Sequence, residues 1–242
     1  MIPISPISSE QEIKLGQKIQ DAQAEGTAAL LSEEKTEKQL VAAAENAAGF
    51  AEAATKKHLH PASPPVACQS GCSWCCYQLV PVSVPETARI SSYLRDLPAA
   101  EFANITARLR ALDKATRGLT SQQRVGVPKA CAYLQDDQCI IHSVRPLACA
   151  EFTSYDVQVC KRGKRIGFKP DSVVHEKARM LAYYAVQRGL SQGLKEAVPQ
   201  ADCEALELTA ASVIALDNPN ACASWLEGSQ VFKAAHMRRG KK

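Results

Sequence analysis

Aromatic residues are scarce in this sequence, at 5% of 242, and no stretch approaches the ~18 consecutive apolar residues of a membrane-spanning helix. The second absence implies no membrane partner. The first removes the basic face with interleaved aromatics that nucleic-acid readers present, and no recognisable nucleic-acid module takes its place. Also missing are a G-x-G-x-x-G fingerprint, a P-loop and a nucleophile elbow, so dinucleotide, nucleoside-triphosphate and serine-hydrolase chemistry have no motif to stand on. The opening residues, Met1 to Glu10, contain neither a basic n-region nor an apolar h-region. That is the expectation for a cytoplasmic chain. The formal net charge of +4 is mild. Two basic runs, Lys161-Arg162-Gly163-Lys164-Arg165 and Arg238-Arg239-Gly240-Lys241-Lys242, read as solvated surface.

What is abundant is alanine, above all before residue 56, and alanine favours helix because it loses no side-chain entropy there. The expected fold is mainly α, a helical protein with a loop-rich cysteine lobe. Residues 9 to 57 read as an N-terminal helical extension of one or two helices, with Gly26 as the break. Leu40, Val41, Ala44, Ala48 and Ala51 form its apolar stripe, which must pack on the rest of the chain or on a second copy. Residues 58 to 67, rich in proline, read as a linker. Residues 68 to 170 form the cysteine domain, and 171 to 242 supply C-terminal helices that pack on it.

Within the cysteine domain, Val80, Val82 and Val84 alternate as a short strand would. Ser83-Val-Pro-Glu86 has the capping-box pattern, predicting a helix with Ala88, Ile90 and Leu94 inward. Phe102, Ile105, Leu109 and Leu112 predict a second helix, ending near Gly118. Val174, Ala178, Leu181 and Ala185 predict a third, before Gly189. Leu206, Ala210 and Val213 predict a fourth, and Asn218-Pro219 reads as the start of a fifth.

Ten cysteines lie well above ordinary usage yet below the ~8 to 10% of a secreted disulfide scaffold. Their clustering is the strongest signal in the chain. Cys68-Gln-Ser-Gly-Cys72-Ser-Trp-Cys75-Cys76 is C-x3-C-x2-C-C; the C-x2-C loop curls two thiolates toward one ion, and Gly71 relieves the bend. Cys131, Cys139 and Cys149 form a second group, with Cys160 following. Asp136-Asp137 is a turn that makes Cys131 and Cys139 the arms of a hairpin. Neither group closes a site well alone, so the two are expected to meet in one lobe. In a reducing compartment such thiols are metal ligands more often than disulfides. The isolated Cys203 and Cys222 read as small buried hydrophobes.

The motifs Gly71-Cys72-Ser73-Trp74-Cys75-Cys76, Val82-Ser83-Val84-Pro85-Glu86 and Cys139-Ile140-Ile141-His142-Ser143-Val144-Arg145-Pro146-Leu147-Ala148-Cys149 resemble the YkgJ or CxxCxxCC cysteine-cluster family. The likeness covers roughly residues 68 to 160, and Trp225-Leu226-Glu227-Gly228 is similar to the tail of longer members. The resemblance implies chelation of zinc or iron and supplies no reaction. His142 stands where the family usually has tyrosine; it reads as a partly buried ring beside Cys139, with an imidazole ligand as the sharper alternative. Arg145, from the family's Arg-Pro, reads as a donor to thiolate sulfurs. Trp74 and Tyr77 read as cover for the metal. Only Cys72 and Cys75 form a C-x2-C pair, which leans toward an iron-sulfur cluster and leaves zinc open. Two other functions compete with simple metal binding. One is a metal-dependent protein-modifying enzyme, by resemblance to flagellin lysine N-methylases; the other is a thiol redox sensor using Cys75 and Cys76.

Overall fold

The computed structural model describes residues 9–168 and 173–238. The boundary expected after residue 170 and the end of the second basic run fall outside them. Ten α-helices occur among the described residues: α1 Ser9–Leu30, α2 Glu37–His58, α3 Val84–Arg95, α4 Ala99–Thr116, α5 Ser121–Arg124, α6 Leu147–Glu151, α7 Val157–Ile166, α8 Lys177–Ala197, α9 Leu208–Asp217 and α10 Ala221–Leu226. Four two-residue strands accompany them: β1 Pro81–Val82, β2 Leu134–Gln135, β3 Gln138–Cys139 and β4 Leu206–Glu207. The mainly α expectation holds, and among the described residues no helix is long and apolar enough to cross a membrane.

α1 and α8 lie side by side and run in the same direction. Gly189 and Gly193, one turn apart on α8, face Gln20 and Ala24, one turn apart on α1. A Cβ added at Gly189 would lie 2.3 Å from the Gln20 carbonyl oxygen, and one at Gly193 2.4 Å from that of Ala24. Each glycine lowers intrinsic helix propensity by about 1 kcal/mol relative to alanine. Here that loss is offset by backbone-to-backbone packing that no side chain would permit. Gly189 therefore does not end a helix, as its composition suggested; α8 passes through it and buries Ala182, Tyr183, Ala185, Val186, Leu190 and Leu194, while Val174 stays exposed. Gly26 likewise sits inside α1, and the break falls at residues 31–36, where the Thr36 hydroxyl caps α2 by accepting from the Gln39 N–H.

α2 packs on α8 and α3, so its alanine-rich stripe is covered by this same chain. Leu40, Ala43, Ala44, Ala47, Ala51 and Ala54 are buried, and small side chains let the helices approach closely. Val41 and Ala48 are only partly covered. α3 starts with the expected capping box: Ser83 Oγ accepts from the Glu86 N–H, and Glu86 accepts from the Ser83 N–H at 2.7 Å. Ala88, Ile90 and Leu94 are fully buried, as are Leu109 and nearly Ile105 from α4. These residues join α9 in one apolar core. Antiparallel pairing of β1 with β4, Pro81 opposite Glu207 and Val82 opposite Leu206, ties the region before α3 to the region before α9. The last helix begins at Ala221, later than Asn218-Pro219 implied; Asn218 Oδ1 instead accepts from the Asn220 N–H in the turn before it.

Candidate metal centre

The two cysteine-bearing stretches are brought together. The Cys131 N–H donates to the Cys76 carbonyl at 2.6 Å, the Ala67 N–H to the Ser154 carbonyl at 2.7 Å, and the Ser73 hydroxyl to Asp137 Oδ1 at 2.9 Å. In the first stretch the chain bends through Gly71 at φ +84°, in the left-handed region that glycine tolerates. It then makes a 3-10 turn over Trp74–Tyr77 that carries Cys75 and Cys76. In the second stretch, β2 and β3 form the expected hairpin, with Leu134 opposite Cys139. Asp136 and Asp137 take φ of 49° and 57°, the double left-handed turn that matches strand twist.

The helical core grips the second stretch by its carbonyls. Tyr93 Oη donates to Ile140 O and Arg89 Nη2 to Ser143 O, both at 3.1 Å, and Arg108 of α4 donates to Leu134 O. Cys149 rides on α6, which is held at both ends. Buried Glu86 accepts from the Leu147 N–H at 2.8 Å, Arg179 of α8 donates to Ala150 O, and Gln187 donates to Glu151 at 2.6 Å. Glu86 thus caps two helices at once, which its capping-box role did not reveal. Burial pushes its carboxyl up from the usual range.

The thiols sense one another as two overlapping sets. Cys76 is repelled by Cys75, Cys131 and Cys149, Cys149 by Cys75, Cys131 and Cys139, Cys131 by Cys139, and Cys139 by Cys75. Cys68 and Cys160 are each repelled by Cys72 and Cys75, and Ser154 favours the thiolate of both, through its backbone and its side chain respectively. Cys75 belongs to both sets. Burial is the main reason that the Cys131 thiol rises to about 12 and that those of Cys139 and Cys149 are raised, with neighbouring cysteines adding repulsion. Cys75 is the exception. A hydrogen bond from Cys76 brings it down to about 7, with Arg145 assisting, and the same bond raises Cys76. Arg145 also favours the thiolates of Cys139 and Cys149. It makes no ion pair with Glu151, whose carboxylate is taken by Gln187.

Two readings of single residues change. His142 is exposed, not partly buried; its Nε2 stands 2.8 Å from Arg145 Nη1, and that cation lowers its pKa. Buried Arg124, 2% exposed, was passed over. It donates to Val127 O and Lys129 O and places a guanidinium near Cys131, Glu207 and Tyr77. No motif marks it, because the turn that buries it is tertiary. Cys222 is buried as expected, and Cys203 is half-buried. All ten cysteines are free thiols.

The donor chemistry suits zinc or iron, both of which thiolates bind. Among the described residues, though, no group of three or more His, Cys, Asp and Glu side chains is set out to hold an ion. Binding a cation would require the thiols that burial keeps protonated to release their protons. Residues 67–180 match the family model CxxCxxCC, described as "Putative zinc- or iron-chelating domain". The likeness is confined to this stretch, 114 of the 242 residues. It starts beside Ala67, which bonds Ser154, and ends in the first turn of α8. The motif at Trp225–Gly228 lies beyond it. Comparison with curated proteins and with solved structures returned no match.

Proposed function

We propose that residues 67–180 bind an iron-sulfur cluster or zinc through thiolates drawn from both stretches, as the working part of a cytoplasmic metal-binding protein. Cys75, Cys76, Cys131, Cys139 and Cys149 make the inner donor set, and Cys68, Cys72 and Cys160 the flanking one. The observation that carries the reading is the 2.6 Å bond from the Cys131 N–H to the Cys76 carbonyl, which pins one stretch against the other at their cysteines. A bound cation would offset the repulsion that gathered thiolates exert on each other, and thiolates would displace the protons that burial now retains. Arg145 would donate to Cys75, Cys139 or Cys149 sulfur, easing the negative charge of the set. The single C-x2-C knuckle favours the cluster over zinc.

Anaerobic purification followed by metal and acid-labile sulfide analysis tests this. Brown protein with iron and sulfide is the expected result; colourless protein with stoichiometric zinc selects the structural ion. Metal-free protein after purification with either metal supplied would overturn the reading. One observation favours a second reading for the metal-free chain. The hydrogen bond from Cys76 lowers the Cys75 pKa to about 7, which raises its thiolate fraction at neutral pH, as a redox sensor requires. A reversible Cys75-dependent disulfide in mass spectra at neutral pH would support that reading.

A further inference from the structure

The basic run at 161–165 is not a loosely solvated surface. It forms half of α7, which packs against the Trp74–Tyr77 turn. Lys161 Nζ and Lys164 Nζ lie 5.4 and 5.2 Å from the Trp74 ring centre, and Lys164 Nζ only 3.7 Å from that of Tyr77. Together with Gln158, Arg162 and Arg165 they line a cleft of about 370 Å³. Two of its ammonium groups are anchored on aromatic faces, and Arg162 and Arg165 are exposed. None of the four cations enters an ion pair among the described residues.

This arrangement works against the helix itself. Lys161 with Lys164 and Arg165, and Arg162 with Arg165, are like charges at i,i+3 and i,i+4, each pair destabilising by about 0.2–0.5 kcal/mol. The helix dipole favours cations in the last turn, which accounts for Lys164 and Arg165 but not for the two in mid-helix. An anion brought from outside would relieve all four.

We propose that the α7 cleft docks an acidic segment of a partner protein, its carboxylates engaging the exposed Arg162 and Arg165 together with Lys161 and Lys164. A ten-residue helix is about 15 Å long, a span suited to two or three carboxylates on a peptide. Guanidinium forks match carboxylates bidentately. Nucleic acid fits less well. The Trp74 and Tyr77 ring contacts are already taken by ammonium groups, whereas strand-binding surfaces offer open aromatic faces to bases. The docked segment would lie on the helix that bears Cys160 and on the turn that bears Cys75 and Cys76, so the partner would cover one side of the cysteine lobe.

The test is fluorescence anisotropy of a labelled oligoglutamate peptide titrated with the full chain at low salt. The Arg162→Glu/Arg165→Glu variant should bind about tenfold more weakly, with the wild-type affinity falling as salt rises. Lys56→Glu/Lys57→Glu, which changes net charge equally at an exposed site on α2, should stay within about twofold of wild type. Should the glutamate variant misfold by circular dichroism, Arg162→Gln/Arg165→Gln replaces it. Emission from Trp74 in a Trp225→Phe background should change on titration, placing the peptide at the cleft. Equal weakening by both double variants, no wild-type binding, or tighter binding of an oligonucleotide of equal charge would each overturn the proposal. The readout needs no metal, so it can fail or succeed independently of the chelation reading.

Discussion

The frame built by α1, α2, α3, α4, α8 and α9 and the cysteine lobe built by residues 67–77 and 131–168 are held by different forces. The frame buries a continuous row of leucine, isoleucine, valine and alanine, with helices near enough that glycine carbonyl contacts replace side chains. Burial of such side chains contributes about 1.5–3 kcal/mol each. The lobe sends Ala132, Tyr133, Ile141, Leu147 and Ala150 into the same core, but its strands are two residues long, its 3-10 turn has no buried residue, and its cysteine-bearing turns are tied by single hydrogen bonds among thiols that repel when charged. The lesson is that the frame needs no metal to fold, whereas the lobe's thiols lack an internal reason to stay together. Metal would then govern the local stability of the lobe far more than global unfolding.

The largest expected effect breaks the frame. Gly189→Ala should destabilise the protein by about 2–4 kcal/mol in denaturant titration, although alanine is the better helix former, because its Cβ meets the Gln20 carbonyl. A gain in stability would show that α1 and α8 are less closely packed than described. Next comes the metal. Cys139→Ser should abolish stoichiometric metal and lower hydrogen-exchange protection at the Cys131 and Leu134 amides while leaving α8 amides unchanged. Equal loss in α8 would mean that frame and lobe unfold as one unit.

Alkaline titration separates the two regions further. In the metal-free protein Cys131 of the lobe and Cys222 of α10, buried in the frame's core, are both raised to about 12 from an ordinary value of 9.0. Between those values the unfolded chain has released its protons and the folded chain has not, so the unfolded state binds fewer protons. Stability is therefore intact below pH 9 and falls above it, by about 1.4 kcal/mol per unit for each group. Cys222→Ala should remove its own share of that slope, about 1.4 kcal/mol per unit, and leave the shares of Cys131 and of the other raised lobe thiols, Cys139 and Cys149. A smaller effect, about 1–3 kcal/mol, is expected for Glu86→Ala, which leaves the Ser83 and Leu147 amides without their acceptor and frees the start of α6.

Much of the frame was legible because its signals are local. Apolar spacing from Ala88 to Leu112, the Ser83 capping box and the Asp136-Asp137 turn each follow from neighbouring residues, and each is where it was expected. Propensity alone reads Gly26 and Gly189 as breaks, yet Gly189 is set by a helix more than 160 positions away, and no local rule sees that contact. The β1–β4 pairing and the burial of Arg124 are likewise non-local. Helix α7 was hidden because its basic residues were read as charge alone, although Val157, Cys160 and Gly163 fall on one face. The cysteine groups themselves stood out through spacing; which thiols lie beside which required the fold.

The most direct test of the two-stretch centre is metal content per chain in Cys75→Ser and Cys139→Ser proteins prepared anaerobically beside wild type, with Cys203→Ser as control. Metal lost from both of the first two and kept by the third is the predicted result. Full metal in either Cys75→Ser or Cys139→Ser would contradict a centre that draws on both stretches.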